Sequence, residues 1–431
     1  MKQTMHVKAP DNWVNDPNGF IYYKGKYHLF YQYNPNAPVW GTMHWGHAVS
    51  KDLIHWEHQG IALYPSCPGD QDGCFSGSAV EYEGKLHLFY TGIRYLDPEV
   101  KDRIESVQLH IVSEDGVHFD NENGKKIIVP PVTDPEIGDS GDTRDPKVWR
   151  AGDHWNMVLG TTDLRQRGKV IFYQSTDLEN WKFAGMTTGE PGMGWMWECP
   201  DLFALGEGHV LVVSPMLLMD DHLREPNQSI CFPVTFDENT CNLTVPDTWQ
   251  FLDYGMDLYA PQSTLDGLGR RILIAWLRMP EAVDGRWNGM FCLPRVVELR
   301  NGHVYFRMHP RVRNAFTKRI YRADQINEAG CLLRMHLKNG EEAVVGGYQI
   351  RRIENRLIAD RSQVYPDIEG ARMILKTPEI REGDLLEIII DRNMIEIYVN
   401  DGEYTLSNAV YGWKDVTVLP KGCGAELYTL E

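Results

Sequence analysis

One short motif returns three times at an almost constant interval, and nothing else in the chain restricts its fold as tightly. Ser50–Trp56 (SKDLIHW), Ser113–Phe119 (SEDGVHF) and Ser175–Trp181 (STDLENW) share the pattern Ser-x-Asp-(Leu/Gly)-x-x-(Trp/Phe), and successive copies start 63 and 62 residues apart. A period of that size marks a stacked or radial array of similar units. Hairpin signatures accompany it. Short runs rich in β-branched and aromatic residues flank Gly-bearing turns at Lys24-Gly25-Lys26, Glu83-Gly84-Lys85, Ala151-Gly152-Asp153, Gly206-Glu207-Gly208 and Asp266-Gly267-Leu268-Gly269. Five sheet units of about 60 residues are too long for the coils of a β-helix. They fit the four-stranded blades of a propeller. No long stretch has the 3.6-residue period of an amphipathic helix, so helices should be few.

The Ser-x-Asp signature is absent from the C-terminal part. There Asp384–Ile390, Met394–Val399 and the run through Tyr404 read as antiparallel strands, joined at Asp391-Arg392-Asn393 and at an Asn400-Asp401-Gly402 turn. The expected organisation is all-β, with a five-bladed β-propeller over residues 1–305 and a C-terminal β-sandwich over 306–431. The polar, Arg-rich segment near 301–325 is the expected linker and should lie against the propeller.

Charge and composition exclude several classes. A formal net charge of −17 would repel a polyanion, which argues against nucleic acid as a partner. No stretch approaches the roughly 20 apolar residues that span a bilayer, so no membrane is expected. Met1–Lys8 has no apolar run long enough for a signal peptide, and a cytoplasmic protein is expected. The eight cysteines are scattered with no CxxC pair, so reduced thiols are expected rather than a zinc site or a disulfide scaffold. Neither a metal nor another cofactor is expected, and the oligomeric state is not legible.

In a propeller the innermost strand of each blade runs along the central channel, so the residues that open the five units can meet at one of its ends. The openings are Trp13–Gly19, Gly73–Ser78, Thr143–Lys147, Trp197–Asp201 and Leu258–Gln262. Three carboxylates, Asp16, Asp145 and Glu198, fall at equivalent points of three units. Singly, each has a plain structural reading. Asp-Pro-Asn-Gly is a strong turn sequence, Asp145 suits an ion pair with Arg144, and Glu198 suits a surface. Together they point to chemistry, because like charges gathered round one channel destabilise it unless they are used. Two carboxylates suffice to cleave a glycosidic bond: one protonates the leaving oxygen, and the other attacks the anomeric carbon or activates water. Glu198 follows Trp195, Met196 and Trp197, an apolar setting that would keep it protonated as the acid. Asp16, in a polar turn beside Asn15, should stay ionised as the nucleophile. Arg144 and Asp145 side by side suit bidentate binding of neighbouring sugar hydroxyls.

Six motifs in a fixed order carry a family resemblance: Trp13-Val14-Asn15-Asp16-Pro17-Asn18-Gly19, Phe30-Tyr31-Gln32-Tyr33-Asn34-Pro35, His44-Trp45-Gly46-His47-Ala48, Phe75-Ser76-Gly77-Ser78, Arg144-Asp145-Pro146 and Trp197-Glu198-Cys199-Pro200. From residue 6 to about 300 the chain resembles glycoside hydrolase family 32, which comprises invertases, fructanases and sucrose-6-phosphate hydrolases. The resemblance implies a five-bladed propeller followed by a sandwich. It implies a retaining β-fructofuranosidase with Asp16 as nucleophile, Glu198 as acid/base and Asp145 gripping fructose hydroxyls with Arg144. Asn15, Gln32, Trp40, Phe75 and Ser76 would line the fructose pocket, Cys199 would tune the acid, and Tyr259 and Trp276 would face the site. The partner would be a small sugar: sucrose, sucrose 6-phosphate or a short fructo-oligosaccharide.

The chain departs from the commoner family pattern at Val14 and at Gly255-Met256-Asp257-Leu258. A phosphorylated substrate would need basic residues beyond the fructose pocket, for which Arg94, Arg165, Arg167 and Arg286 are candidates. An inverting furanosidase on a related propeller and a non-catalytic sugar-binding propeller are the competing readings.

Overall fold

Short apolar runs bounded by Gly-bearing turns favour hairpins over crossovers, and the chain folds almost wholly into antiparallel sheets built from consecutive strands. The computed structural model describes residues 5–101, 103–218, 227–321 and 330–430. Five sheets come first. Their inner strands are Asn12–Tyr23, Gly73–Tyr82, Arg144–Ala151, Met196–Leu205 and Leu258–Leu265, and in each blade the chain then steps outward strand by strand. Each inner strand packs against the next, and the fifth packs against the first, which closes the ring. A short strand, Trp287–Asn288, leaves the fifth unit and pairs in parallel with the first inner strand (Asn12↔Trp287, Trp13↔Asn288). The architecture is thus a five-bladed β-propeller followed by a β-sandwich.

The repeated motif proves to be an inter-blade fastening. In the first copy the Ser50 hydroxyl accepts from the Leu53 N–H at 2.8 Å, and Asp52 accepts from the N–H groups of Ile54 and His55. Asp115 and Asp177 repeat this scheme with Val117 and His118 and with Glu179 and Asn180. The fourth position takes a left-handed φ in all three copies, at Leu53 (73°), Gly116 (79°) and Leu178 (65°). The closing aromatic then reaches the preceding blade. Phe119 meets Phe30 edge-on at 5.9 Å, and Trp181 meets Phe89 at 6.1 Å.

The C-terminal part pairs a six-stranded with a five-stranded sheet. Alternate side chains such as Leu333, Ile388, Ile397 and Leu406 from one sheet meet Val345, Ile350 and Leu357 from the other. The stretch expected as a linker is structured. His303–Met308 is the outermost strand of the fifth blade, so the expected division at 305/306 falls within a strand. Pro310–Ala315 is the single helix among the described residues, with Pro310 at its first turn and His309 accepting from the Arg311 N–H. Arg311 donates to the Lys51 carbonyl at 2.8 Å, so this segment does lie against the propeller. Residues 322–325 lie outside the described residues.

Buried charge joins the two parts. Arg295 of the fifth blade binds Asp253 at 2.9 Å and Glu396 of the sandwich at 2.7 Å. His6 bridges Asp391 at 2.7 Å and Glu396 at 2.8 Å. Burial alone would lower the His6 pKa, but the two carboxylates outweigh it and lift it to about 9. Burial would likewise raise Glu396, yet Arg295 and His6 draw it down to about 2.

Candidate active site

Every inner strand breaks register near its start, and the first does so again between Asn18 and Ile21. The breaks fall between Val14 and Pro17, Cys74 and Gly77, Arg144 and Lys147, Glu198 and Asp201, and Tyr259 and Gln262. A bulge leaves residues unpaired and re-aims their side chains. Asn15, Asp16, Phe75, Ser76, Asp145, Cys199 and Ala260 lie inside these breaks. Three of them hold left-handed backbone, Asp145 (φ 67°), Cys199 (φ 47°) and Ala260 (φ 50°), a conformation that persists only where the surroundings enforce it. Asp16 is therefore not a turn residue, as its Asp-Pro-Asn-Gly context suggested. It belongs to the bulged part of a twelve-residue strand.

The bulges gather the acids at one mouth of the channel. A cleft of about 780 Å³ opens there, lined by Asn15, Asp16, Gln32, Trp40, Phe75, Arg144, Asp145, Glu198, Tyr259 and Trp276. These are all but two of the expected site residues. Ser76 and Cys199 sit behind the carboxylates and act on them by hydrogen bonding. Asp16 is held by neutral donors. The Ser76 hydroxyl lies 2.5 Å from Oδ2, the Cys199 thiol 3.4 Å from Oδ2 and the Asn15 amide 3.2 Å from Oδ1. Asn15 also donates to Gln32, whose amide donates to Ser76. Burial raises the Asp16 pKa, and Glu198 adds to the rise against these hydrogen bonds, leaving it at about 6. Full ionisation at any pH above the ordinary carboxylate range, as a polar turn would give, does not hold.

Asp145 accepts from the Cys199 backbone N–H at 2.8 Å, and its own N–H donates to Thr91. Burial pushes its pKa up to about 7 despite Arg144, because Glu198 and Asp16 repel its charge as well. Arg144 does not pair with its neighbour Asp145 by hydrogen bond. Its guanidinium reaches Glu198 Oε1 at 2.9 Å and Asp142 at 2.8 Å. The second Glu198 oxygen accepts from the Tyr259 hydroxyl at 2.6 Å. The apolar setting expected for Glu198 is thus absent. Alternation along the strand sends Trp197 to the other side, where its indole rests against Gly168 and Gly189 and donates to the Met193 carbonyl. A side chain at either glycine would collide with the ring, the closest approach being 2.1 Å at Gly168 and 2.4 Å at Gly189.

At the rim, Trp40 is half exposed and meets Phe75 edge-on at 6.2 Å, while Trp276 meets Trp13 at 5.7 Å. Flat aromatic faces of this kind suit sugar rings. The four arginines expected near a phosphate are not among the lining residues. Arg94 pairs with Glu105, Arg167 with Asp163 and Arg286 with Asp11. The cleft is instead lined on that side by Lys101, Arg103 and the loop Asp139-Ser140-Gly141-Asp142, none of which the sequence singled out. The polar run immediately before Arg144 was the available signal for Asp142.

Comparison with known proteins agrees with this geometry. Residues 6–310 match the description "Glycosyl hydrolases family 32 N-terminal domain", and residues 314–427 match "Glycosyl hydrolases family 32 C terminal". A sucrose-6-phosphate hydrolase of Zymomonas mobilis is 36% identical, with 95% of this chain and 87% of that protein covered. A raffinose invertase of Escherichia coli is 35% identical, covering 95% and 89%. Among solved structures, a family 32 β-fructofuranosidase of Bombyx mori superposes with a TM-score of 0.83 at 30% identity, covering 100% of this chain and 94% of that one. The fold is shared with the sucrose-6-phosphate hydrolase of Lactobacillus gasseri at a TM-score of 0.88 and 24% identity, covering 99% and 93%. Matched by both halves of one family and carrying three acids at the mouth of its propeller, this chain belongs to glycosyl hydrolase family 32.

Proposed function

We propose that the protein is a retaining β-fructofuranosidase that releases terminal β-D-fructose from sucrose-type sugars by double displacement, with Asp16 as nucleophile and Glu198 as acid/base. The observation that carries this reading is that both carboxylates line one cleft in unlike settings. Asp16 has only neutral donors, which orient it without cancelling its charge, and near neutral pH it is mostly ionised. Glu198 lies between Arg144 and Tyr259, toward the open side, where a leaving oxygen would sit. Asp16 attacks C2 of the fructosyl unit while Glu198 protonates the glycosidic oxygen, and Glu198 then activates water against the covalent intermediate. Asp145, deep in the cleft beside Asp16, grips fructose hydroxyls. Asn15, Gln32, Phe75, Trp40 and Trp276 shape the fructose pocket, and Ser76 and Cys199 hold the nucleophile. The product anomer tests the reading. NMR of the first-formed fructose should show β configuration, whereas initial α-fructose would transfer the assignment to an inverting furanosidase.

For the aglycone, Lys101 and Arg103 favour sucrose 6-phosphate over neutral sucrose. Neither has a carboxylate partner among the described residues, and both line the cleft. A phosphorylated sugar arises inside the cell, and the eight cysteines are all free, so the protein is read as cytoplasmic. Replacing both cations with Ala should raise KM for sucrose 6-phosphate by roughly 10- to 100-fold and leave sucrose nearly unchanged. Equal effects on the two sugars would return the choice of substrate to neutral sucrose or short fructo-oligosaccharides, with 1-kestose and inulin completing the series.

A further inference from the structure

The segment between the fourth and fifth blades, Asp253–Asp257, is gripped by the sandwich. The Tyr254 N–H donates to the Thr405 carbonyl at 2.8 Å, and the backbone at Gly255 runs so close to Ser407 that a Cβ would lie 2.1 Å from its carbonyl oxygen. The last residue of the segment is held most firmly. The buried Asp257 carboxylate accepts from Arg361 at 2.5 Å, from Asn408 at 3.2 Å and from the Ala409 N–H at 3.0 Å. All three donors belong to the sandwich. Arg361 is itself braced by the Tyr365 ring at 3.8 Å, and Asn408 by the Tyr348 hydroxyl at 2.6 Å.

Two residues after Asp257 stands Tyr259, whose hydroxyl meets Glu198. The Asp257 carbonyl accepts from the Arg278 N–H at 2.9 Å, and the Arg278 guanidinium lies 5.1 Å from the centre of the Tyr259 ring. The backbone between the sandwich clamp and the ring is short and fully buried, so it transmits a displacement with little loss.

We propose that the sandwich takes part in catalysis as a positioning device: Arg361 and Asn408 fix Asp257, Asp257 fixes Tyr259, and Tyr259 aims the Glu198 carboxyl at the leaving oxygen. The inference rests on the reading of Glu198 as acid/base. Arg361, Asn408 and Asp257 are positioning residues, since none of them lines the cleft.

The test uses the full-length enzyme and two substrates. Sucrose expels a glucose that needs a proton, whereas β-D-fructofuranosyl fluoride expels fluoride, which does not. Arg361→Gln should lower kcat/KM on sucrose by about tenfold or more, and on the fluoride by less than about twofold. Tyr259→Phe should show the same split, and the double variant should lose no more than the worse single variant. Equal losses on both substrates, or losses that add, would make Arg361 merely structural and overturn the inference. If Arg361→Gln does not fold, Asn408→Ala, which removes the 3.2 Å hydrogen bond to Asp257, carries the same comparison. Glu198→Gln keeps the two levels apart. No substrate split in that variant means that the acid assignment fails. A split there without one in the Arg361 variant removes the role of the sandwich alone.

Discussion

At the seam between propeller and sandwich, Arg295 and His6 stand among Asp253, Glu396 and Asp391; in the cleft, Asp16, Asp145 and Glu198 gather round one arginine, Arg144, which binds Glu198 alone of the three. Both clusters bury charge, and the environment drives Glu396 and Asp391 one way and Asp16 and Asp145 the other. Glu396 falls to about 2 and Asp391 is lowered as well, because each acid touches a cation. Asp16 rises to about 6 and Asp145 to about 7, because burial and mutual repulsion exceed what one arginine and a few neutral donors return. Burial of an acid is therefore uninformative by itself. Here the direction of the shift separates Glu396 and Asp391 of the fastening from Asp16 and Asp145 of the cleft.

Substitutions can break or sharpen that contrast. The largest effect is expected for Asp16→Asn, which should lower kcat by about 10⁴-fold or more while Tm holds or rises, since a repelled charge is removed. Near-wild-type turnover would erase the distinction between the clusters. Next comes Arg295→Met at the seam. It strands Asp253 without its cation, leaves Glu396 with His6 alone, and should destabilise the fold by about 3–5 kcal/mol in chemical denaturation. A neutral result would mean that the seam is no fastening.

A smaller effect is expected from pH at the seam. His6 has its folded pKa raised above the unfolded value, so its contribution is complete below about pH 6.5 and is lost as pH climbs through about 9. At about 1.36 kcal/mol per pKa unit, the loss is about 3 kcal/mol. Tm measured from pH 6 to 10 should fall, and His6→Gln should flatten the slope. The least effect is the acid limb of activity. The Asp16 carboxyl protonates below about pH 6, so kcat/KM should drop about tenfold per pH unit there. The same protonation relieves repulsion, so the site should gain stability over the range in which activity disappears. A limb near pH 4 would show that the nucleophile is not desolvated.

The parts of the molecule that were legible in the sequence are those made by neighbours in the chain. The Ser-x-Asp loops could be read because Ser50, Asp52 and their copies bond the backbone within a few residues. The three acids could be aligned because each blade opens alike. The backbone that aims them could not, since left-handed φ at Asp145, Cys199 and Ala260 is imposed by packing and not by residue type. Trp197 misled because adjacency along a strand places side chains on opposite faces, and the real partners of Glu198 lie 54 and 61 residues away. The seam was out of reach altogether, with His6 and Asp391 separated by 385 positions.

The parallel pairing of Asn12 and Trp13 with Trp287 and Asn288 has a consequence for biosynthesis. A ribosome delivers the first blade long before its last neighbour exists, so the nascent chain carries an open strand edge until the latch emerges. Premature termination short of Leu258 should leave a gapped crescent, and termination between Leu277 and Trp287 should leave the edge of the first inner strand unpaired and prone to self-association.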